Sequence, residues 1–230
     1  MENASKALIM AGSILMAILV IGLLVFGYQQ LSSLQQTETD AEDNDKLARY
    51  MNQFEQFGRT LYGSELLSLA NLQEDYNTSD ARINTGYDKV EITVTIKNSI
   101  ADTIYFQANT YDLSEIVEDA ENLEKERAKY EEPKRTYNNK SVKYYAGKSN
   151  REIAIDLLGI EPPSNYTSYQ IENEILAKNS TTSNLLAEIH AYTSLNSTYT
   201  EFRTGKQFDC VDIGYNTQNG RINKMVFVEK

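Results

Sequence analysis

The chain has no tryptophan, one cysteine, one histidine and three prolines among its 230 residues, and each shortage closes a route. A single cysteine, Cys210, permits no intramolecular disulfide, and its place late in the chain excludes a lipid-modified cysteine near the amino terminus. A single histidine, His190, leaves a zinc site to be assembled from one imidazole, one thiol and carboxylates, a poor set for that ion. No serine, cysteine or aspartate beside His190 completes a recognisable nucleophile motif. No phosphate-cradling glycine loop occurs. The acids are abundant but form no recognisable pair of the kind a glycoside hydrolase uses. The expectation is a protein that is not an enzyme and holds neither cofactor nor metal. Basic residues are also scarce. Lys and Arg number 22 against 33 Asp and Glu, a formal net charge of −11, which argues against nucleic acid as a partner.

What the chain does have is a long uncharged apolar run, Ala7 to Tyr28. About 20 apolar residues in a helix suffice to cross a hydrocarbon core of about 30 Å. The run therefore predicts a transmembrane helix over 7–28, anchored by Ala7, Leu8, Ile9, Leu15, Ile18, Leu19, Val20, Ile21, Leu23, Leu24, Val25 and Phe26. The lipid bilayer is then an expected partner. Lys6 is the only basic residue before the run, and the first charge after it is Glu38. By the positive-inside rule residues 1–6 form a short cytoplasmic amino terminus and the remainder lies outside the cell. The expected location is the cell membrane, single-pass, with an extracellular carboxy-terminal domain. A cleaved signal peptide is the rival reading, but its apolar region is usually about 7–15 residues, and this run is longer. The roughly 200 residues that follow suit one domain of moderate size, or a smaller domain on a stalk.

Residues 29–76 read as a helical stalk. Nothing in Gln29–Gln36 breaks a helix. Thr37–Asp45 is an acidic patch, read either as a hinge or as the first turn of a new helix. It lacks the glycine and the distal glutamate of a calcium loop. Leu47, Tyr50, Met51, Phe54 and Phe57 recur at the spacing of one helix face, and Gly58 ends or kinks that helix. Gly63-Ser64 restarts it with Ser64 as cap, and Leu66, Leu67, Leu69, Ala70 and Leu72 form the next apolar stripe.

Residues 77–230 read as an α+β head with an antiparallel sheet. Tyr87–Lys97 is the clearest strand, with Val90, Ile92, Val94 and Ile96 on one side and Glu91, Thr93, Thr95 and Lys97 on the other. That alternation favours an antiparallel sheet covered on one face by the stalk helices. Thr103–Tyr111 is expected as the next strand, after a reversal at Asn98–Asp102. Leu113–Tyr130 has helical spacing and a charged outer face, limited by Pro133. Val142–Tyr145 and Ile153–Leu158 are open between strand and helix, and Tyr166–Ala177 fits neither period. Leu185–Leu195 predicts a short helix. Phe208–Tyr215 and Ile222–Val228 flank Asn219-Gly220, a strong local hairpin signal. Cys210 reads as a small buried hydrophobe. The sixteen tyrosines are expected in the sheet and at its rim, with a wet binding surface as the other reading. Six Asn-x-Ser/Thr triplets, at Asn3, Asn77, Asn139, Asn165, Asn179 and Asn196, are what a chain rich in these residues produces by chance.

An apolar amino-terminal helix, its helical continuation and then an antiparallel sheet resembles the type IV pilin-like and pseudopilin-like proteins of bacteria. The opening ENASKALIMAGSILMAILVIG, with YMNQFEQFGRTLYGSELLSLAN and FDCVDIGYNTQNGRINKMVF, resembles a Clostridia-type group of small Gram-positive single-span membrane proteins. The pilin resemblance implies a structural subunit of a cell-surface or secretion assembly, joined through its amino-terminal helix to copies of itself or to other pilin-like subunits. Pilins use a glutamate within the apolar stretch for subunit docking. Here Glu2 precedes the stretch and is the candidate for that role. The alternative is a monomeric membrane-tethered binding or accessory module outside the cytoplasm, built from the same anchor and head.

Overall fold

The computed structural model describes residues 2–100, 104–131, 136, 137 and 139–230. The side chains of 2–11, 13–15, 17, 34–36, 39 and 136 lie outside the description. The chain opens on α1 (Glu2–Gln56), followed by β1 (Leu61–Tyr62), α2 (Gly63–Thr78), α3 (Asp80–Thr85) and β2 (Glu91–Ile96). Next come β3 (Asn109–Asp112), α4 (Leu113–Ala128), β4 (Thr136–Tyr137), β5 (Lys140–Ser141), α5 (Val142–Ala146) and α6 (Asn150–Leu158). Then follow α7 (Ser168–Lys178), α8 (Ser180–Thr200), a π-helical turn (Glu201–Gly205), β6 (Gln207–Tyr215) and β7 (Ile222–Glu229).

α1 is a single helix of 55 residues. It passes through the acidic patch without a hinge or a new start, and ends just before Gly58 as the stripe predicts. The transmembrane reading of 7–28 is corrected. Among the described residues no helix is long and apolar enough to cross a membrane. The unbroken run of described apolar side chains is Ile18–Tyr28. At 1.5 Å per residue those residues span about 16 Å, roughly half of a hydrocarbon core. Beyond them α1 turns polar at Gln29-Gln30 and acidic from Glu38. The single-pass membrane location, with its cytoplasmic amino terminus and extracellular head, rested on that span and is corrected with it.

The inner end of α1 buries one face. Leu47, Met51 and Phe54 are buried, with Tyr50 and Phe57 packed beside them. Arg59 and Glu65 pair across the break at 2.6 Å, and the backbone N–H of Tyr62 donates to Glu65 at 2.8 Å. Tyr62 is thus the residue before the first turn of α2, and Ser64 lies inside that turn rather than capping it. Gly63 is required there. A Cβ at that position would meet the Phe202 carbonyl oxygen at 2.2 Å, so α2 begins hard against the π turn. Leu66, Leu69 and Ala70 continue the buried stripe.

The main sheet has the order β1-β6-β7-β2-β3. The head is α+β, but the sheet is mixed rather than antiparallel. β2 runs parallel to β7, from Glu91 opposite Lys224 to Thr95 opposite Val228, while its other neighbour β3 and the β6–β7 pair are antiparallel. Strand partners so far apart in the chain are set by tertiary packing, which local periodicity does not encode. The burial of Val90, Ile92, Val94 and Ile96 against the stalk face is as the alternation predicts. The second strand is shorter than expected, and Ile104–Ala108 stays outside it. Residues 101–103 lie outside the description. Within this irregular stretch Phe106 takes φ 51° and is fully buried, stacked on Phe202 at 4.0 Å. The hairpin forms as Asn219-Gly220 predicts, with Gly220 at φ 70°. Its loop is held by Asn216, whose carbonyl accepts the Gly220 N–H and whose side-chain oxygen accepts from Gln218 and Asn219.

A second apolar cluster is wholly helical. Val142, Tyr145, Ile153, Ala154, Ile171, Ile175, Leu185, Leu186, Ile189 and Tyr192 pack together without the sheet. The two segments left open between strand and helix are helices, and so is the segment that fitted neither period. Each begins at a hydroxyl cap: Ser141, Ser149 and Thr167. α8 is longer than Leu185–Leu195 and joins the clusters. Leu185 to Tyr192 lie in the helical one, while Leu195, Tyr199 and Phe202 belong to the sheet's. Tyrosine is mostly a helix and loop residue here. Of the sixteen, Tyr62, Tyr111, Tyr137 and Tyr215 fall in strands, while Tyr50, Tyr87, Tyr105 and Tyr199 pack on the sheet's cluster from outside the strands.

Candidate assembly surface

The feature that sets this molecule apart is the outer half of α1. Ile18, Leu19, Val20, Ile21, Leu23, Leu24, Val25 and Phe26 are between 51% and 68% exposed, and Met16, Tyr28 and Leu31 are exposed with them. Successive helix residues step about 100° around the axis, so consecutive exposed apolar side chains cover every face. Gly22 and Gly27 have no atom within 4 Å of where a Cβ would stand. Of the residues singled out from sequence, Glu2, Ala7, Leu8, Ile9 and Leu15 are in α1, but their side chains lie outside the description.

Where α1 meets the head the surface changes from bare apolar to polar and then to core. Asp43, one helix turn before Leu47, is buried and accepts from Asn84 Nδ2 of α3 at 3.1 Å. Its neighbour Asn44 accepts through Oδ1 from Arg221 Nη2 at 3.2 Å and from the Tyr87 hydroxyl at 3.5 Å. The Arg221 guanidinium sits 4.4 Å from the Tyr87 ring centre. Sequence reasoning missed this set. The one available signal was that Asp43 stands in register with the stripe Leu47–Met51–Phe54, a polar residue where the pattern asks for an apolar one.

Lys206 and Glu229 form a buried ion pair, and Lys206 Nζ also donates to the Asn98 carbonyl at 2.6 Å. Glu229 Oε2 accepts the backbone N–H groups of Lys97 and Asn98 at 2.7 and 2.9 Å. Burial pushes the Glu229 carboxyl up, but Lys206 and the two N–H groups outweigh it and hold it below its ordinary value. Both carboxylate oxygens of Glu229 thus have structural partners, and the arrangement ties the end of β7 to the loop after β2. In the helical cluster Asp156 accepts from Lys140 Nζ and the Tyr145 hydroxyl, each at 2.6 Å. Burial first, then the Asp156 carboxylate, pushes the Tyr145 hydroxyl far up, so it stays protonated. His190 is exposed on α8, 3.6 Å from Glu172. Cys210 is half-buried rather than buried, and burial raises its thiol above the ordinary value, away from a reactive thiolate. Among the described residues no group of three or more His, Cys, Asp or Glu is placed to hold a metal ion.

An open groove of about 730 Å³ lies between α2 and α4 over the start of β2, edged by Gln73, Asn77, Glu91 and Ser114. Asn77 there spends its amide on both backbone groups of Val90. Of the other Asn-x-Ser/Thr asparagines, Asn179 caps α8 and Asn196 accepts from Arg127. No protein-family model, no curated protein and no solved structure matches this chain.

Proposed function

We propose that this protein is a non-catalytic, pilin-like structural subunit that assembles through the outer half of α1 with copies of itself or with other pilin-like subunits. The observation that carries the reading is the apolar surface from Ile18 to Tyr28, exposed on all sides of the helix, with Leu31 exposed beyond it. A helix that is apolar all round is stable when other apolar surface surrounds it, and a contiguous exposed apolar patch marks an interaction site. The same segment of neighbouring copies fits as occupant. It carries no charge from Ala7 to Thr37, so parallel helices meet there without like-charge repulsion. Gly22 and Gly27 let another helix approach closely, within the usual 8–10 Å between axes of about that size. Among the described residues the head supplies no convergent catalytic set, and it serves as the part that faces outward from the packed helices.

The test is crosslinking of the full chain from single cysteines placed at Ile18 to Leu31 in a Cys210→Ala background. The expected result is a ladder of multimers, with the strongest positions recurring every three to four residues. If every position yields monomer while the head captures a distinct ligand, in the α2–α4 groove or elsewhere, the subunit reading fails and a monomeric binding module replaces it.

A further inference from the structure

We infer that Asn44, Arg221 and Tyr87 are positioning residues that lock α1 at a fixed angle to the head. The need for such a lock is geometric. The last rung of α1 buried in the head is Asp43, since the described side chains before it are exposed. Residues 2–42 therefore project as a lever about 60 Å long at 1.5 Å per residue. A swing of about 10° at its base moves the far end by about 10 Å, a full helix-to-helix spacing. The core residues Leu47, Met51 and Phe54 form a stripe along one line of the helix and resist sliding. Such a stripe, even with Tyr50 and Phe57 packed beside it, resists sideways rocking poorly, because apolar contact is non-directional.

Directional contacts are what the base of the lever supplies. Asn44 is on the exposed flank of α1, beside the buried line of Asp43 and Leu47. Its Oδ1 is reached by two donors from separate parts of the chain: Tyr87, between α3 and β2, and Arg221, at the end of the β6–β7 loop. Arg221 is itself fixed by lying on the Tyr87 ring at 4.4 Å. Its Nη1 is buried with no hydrogen-bond partner among the described residues, so Nη2 to Asn44 and the ring beneath are what hold the guanidinium. On the neighbouring flank Asn84 holds Asp43. The helix is thus gripped by hydrogen bonds at two adjacent residues, from α3 on one side and from the Tyr87–Arg221 stack on the other. The value of a fixed angle rests on the reading of α1 as an assembly surface; the lock does not.

The experiment measures the angle directly. Nitroxide labels at Ser33→Cys on α1 and Glu118→Cys on α4, in a Cys210→Ala background, report the distance between lever and head by pulsed electron resonance. The full chain is held dilute in neutral detergent, so that each molecule reports only on itself. The expected result is one narrow distance distribution, at least twofold broader in Asn44→Ala and in Arg221→Ala, with the unfolding midpoint of the head unchanged. Asn44→Ala puts a good helix former on an exposed helix flank, so it folds. Arg221→Lys keeps the charge but not the stacked fork, and should broaden the distribution as well. A distribution already broad in the parent chain, or one that Asn44→Ala leaves unchanged, overturns the lock. Failure of the crosslinking test above would leave this result untouched, so the two ideas fall separately.

Discussion

Leu47 and Leu24 lie on the same helix, yet Leu47 is 0% exposed and Leu24 is 68% exposed. The inner end of α1 carries apolar residues at intervals of three and four, which needs one neighbour on one side. The outer half carries them consecutively, which needs neighbours on every side. The head satisfies the first pattern within the chain. Nothing among the described residues satisfies the second. On the proposed reading, the difference separates folding from assembly along one helix: apolar surface with a period is spent on the protein's own core, and apolar surface without one is left for other copies.

The largest effect on stability is expected at Phe54. Phe54 is fully buried and makes an edge-to-face contact with Tyr76 at 5.7 Å. Phe54→Ala should destabilise the head by about 3 to 5 kcal/mol in denaturant unfolding. A loss under about 0.5 kcal/mol would mean that the inner stripe does not carry the core. Next comes the buried Lys206–Glu229 pair, which ties the end of β7 to the loop after β2. Glu229→Gln leaves Lys206 buried without its counter-charge and should cost about 3 kcal/mol. The parent chain should also be acid-sensitive at this site. The Glu229 carboxyl is held below its ordinary value when folded, so its contribution is present above the ordinary carboxylate range and lost as pH falls through the folded value. Urea midpoints measured from neutral pH downward should fall more steeply for the parent than for Glu229→Gln. Parallel curves would remove the pair from the account. The smallest effect on stability belongs to the outer half. Phe26 is 60% exposed, and Phe26→Ala should change head stability by less than about 0.5 kcal/mol while weakening self-association.

What was legible in the sequence followed local period and turn chemistry. The inner stripe of α1, the alternation of β2, the charged face of α4 and the Asn219-Gly220 hairpin all appear as expected, because each is decided within about ten residues. The helical cluster was not legible. Val142–Tyr145 and Ile153–Leu158 are too short for a period to choose between strand and helix, and the hydroxyl caps at Ser141 and Ser149 were the clue. The parallel pairing of β2 with β7 joins residues such as Glu91 and Lys224, which only the finished fold brings together. The transmembrane reading took the purity of the Ala7–Tyr28 run as sufficient, whereas no described helix is long and apolar enough to cross a membrane. Of the candidate surface, the apolar side chains were found by sequence. The Asp43–Asn84 and Asn44–Arg221 contacts at its base were not, since their partners come from α3 and from the far end of the chain.

On the proposed reading the outer half of α1 is spent between molecules and the inner half within one. Sedimentation velocity on the full chain, beside a chain that starts at Thr37, tests it most directly. The account predicts a discrete multimer for the full chain, a monomer for the shortened one, and the same unfolding midpoint for both heads. A full chain that sediments as monomer, or a shortened chain that keeps the multimer, would contradict it.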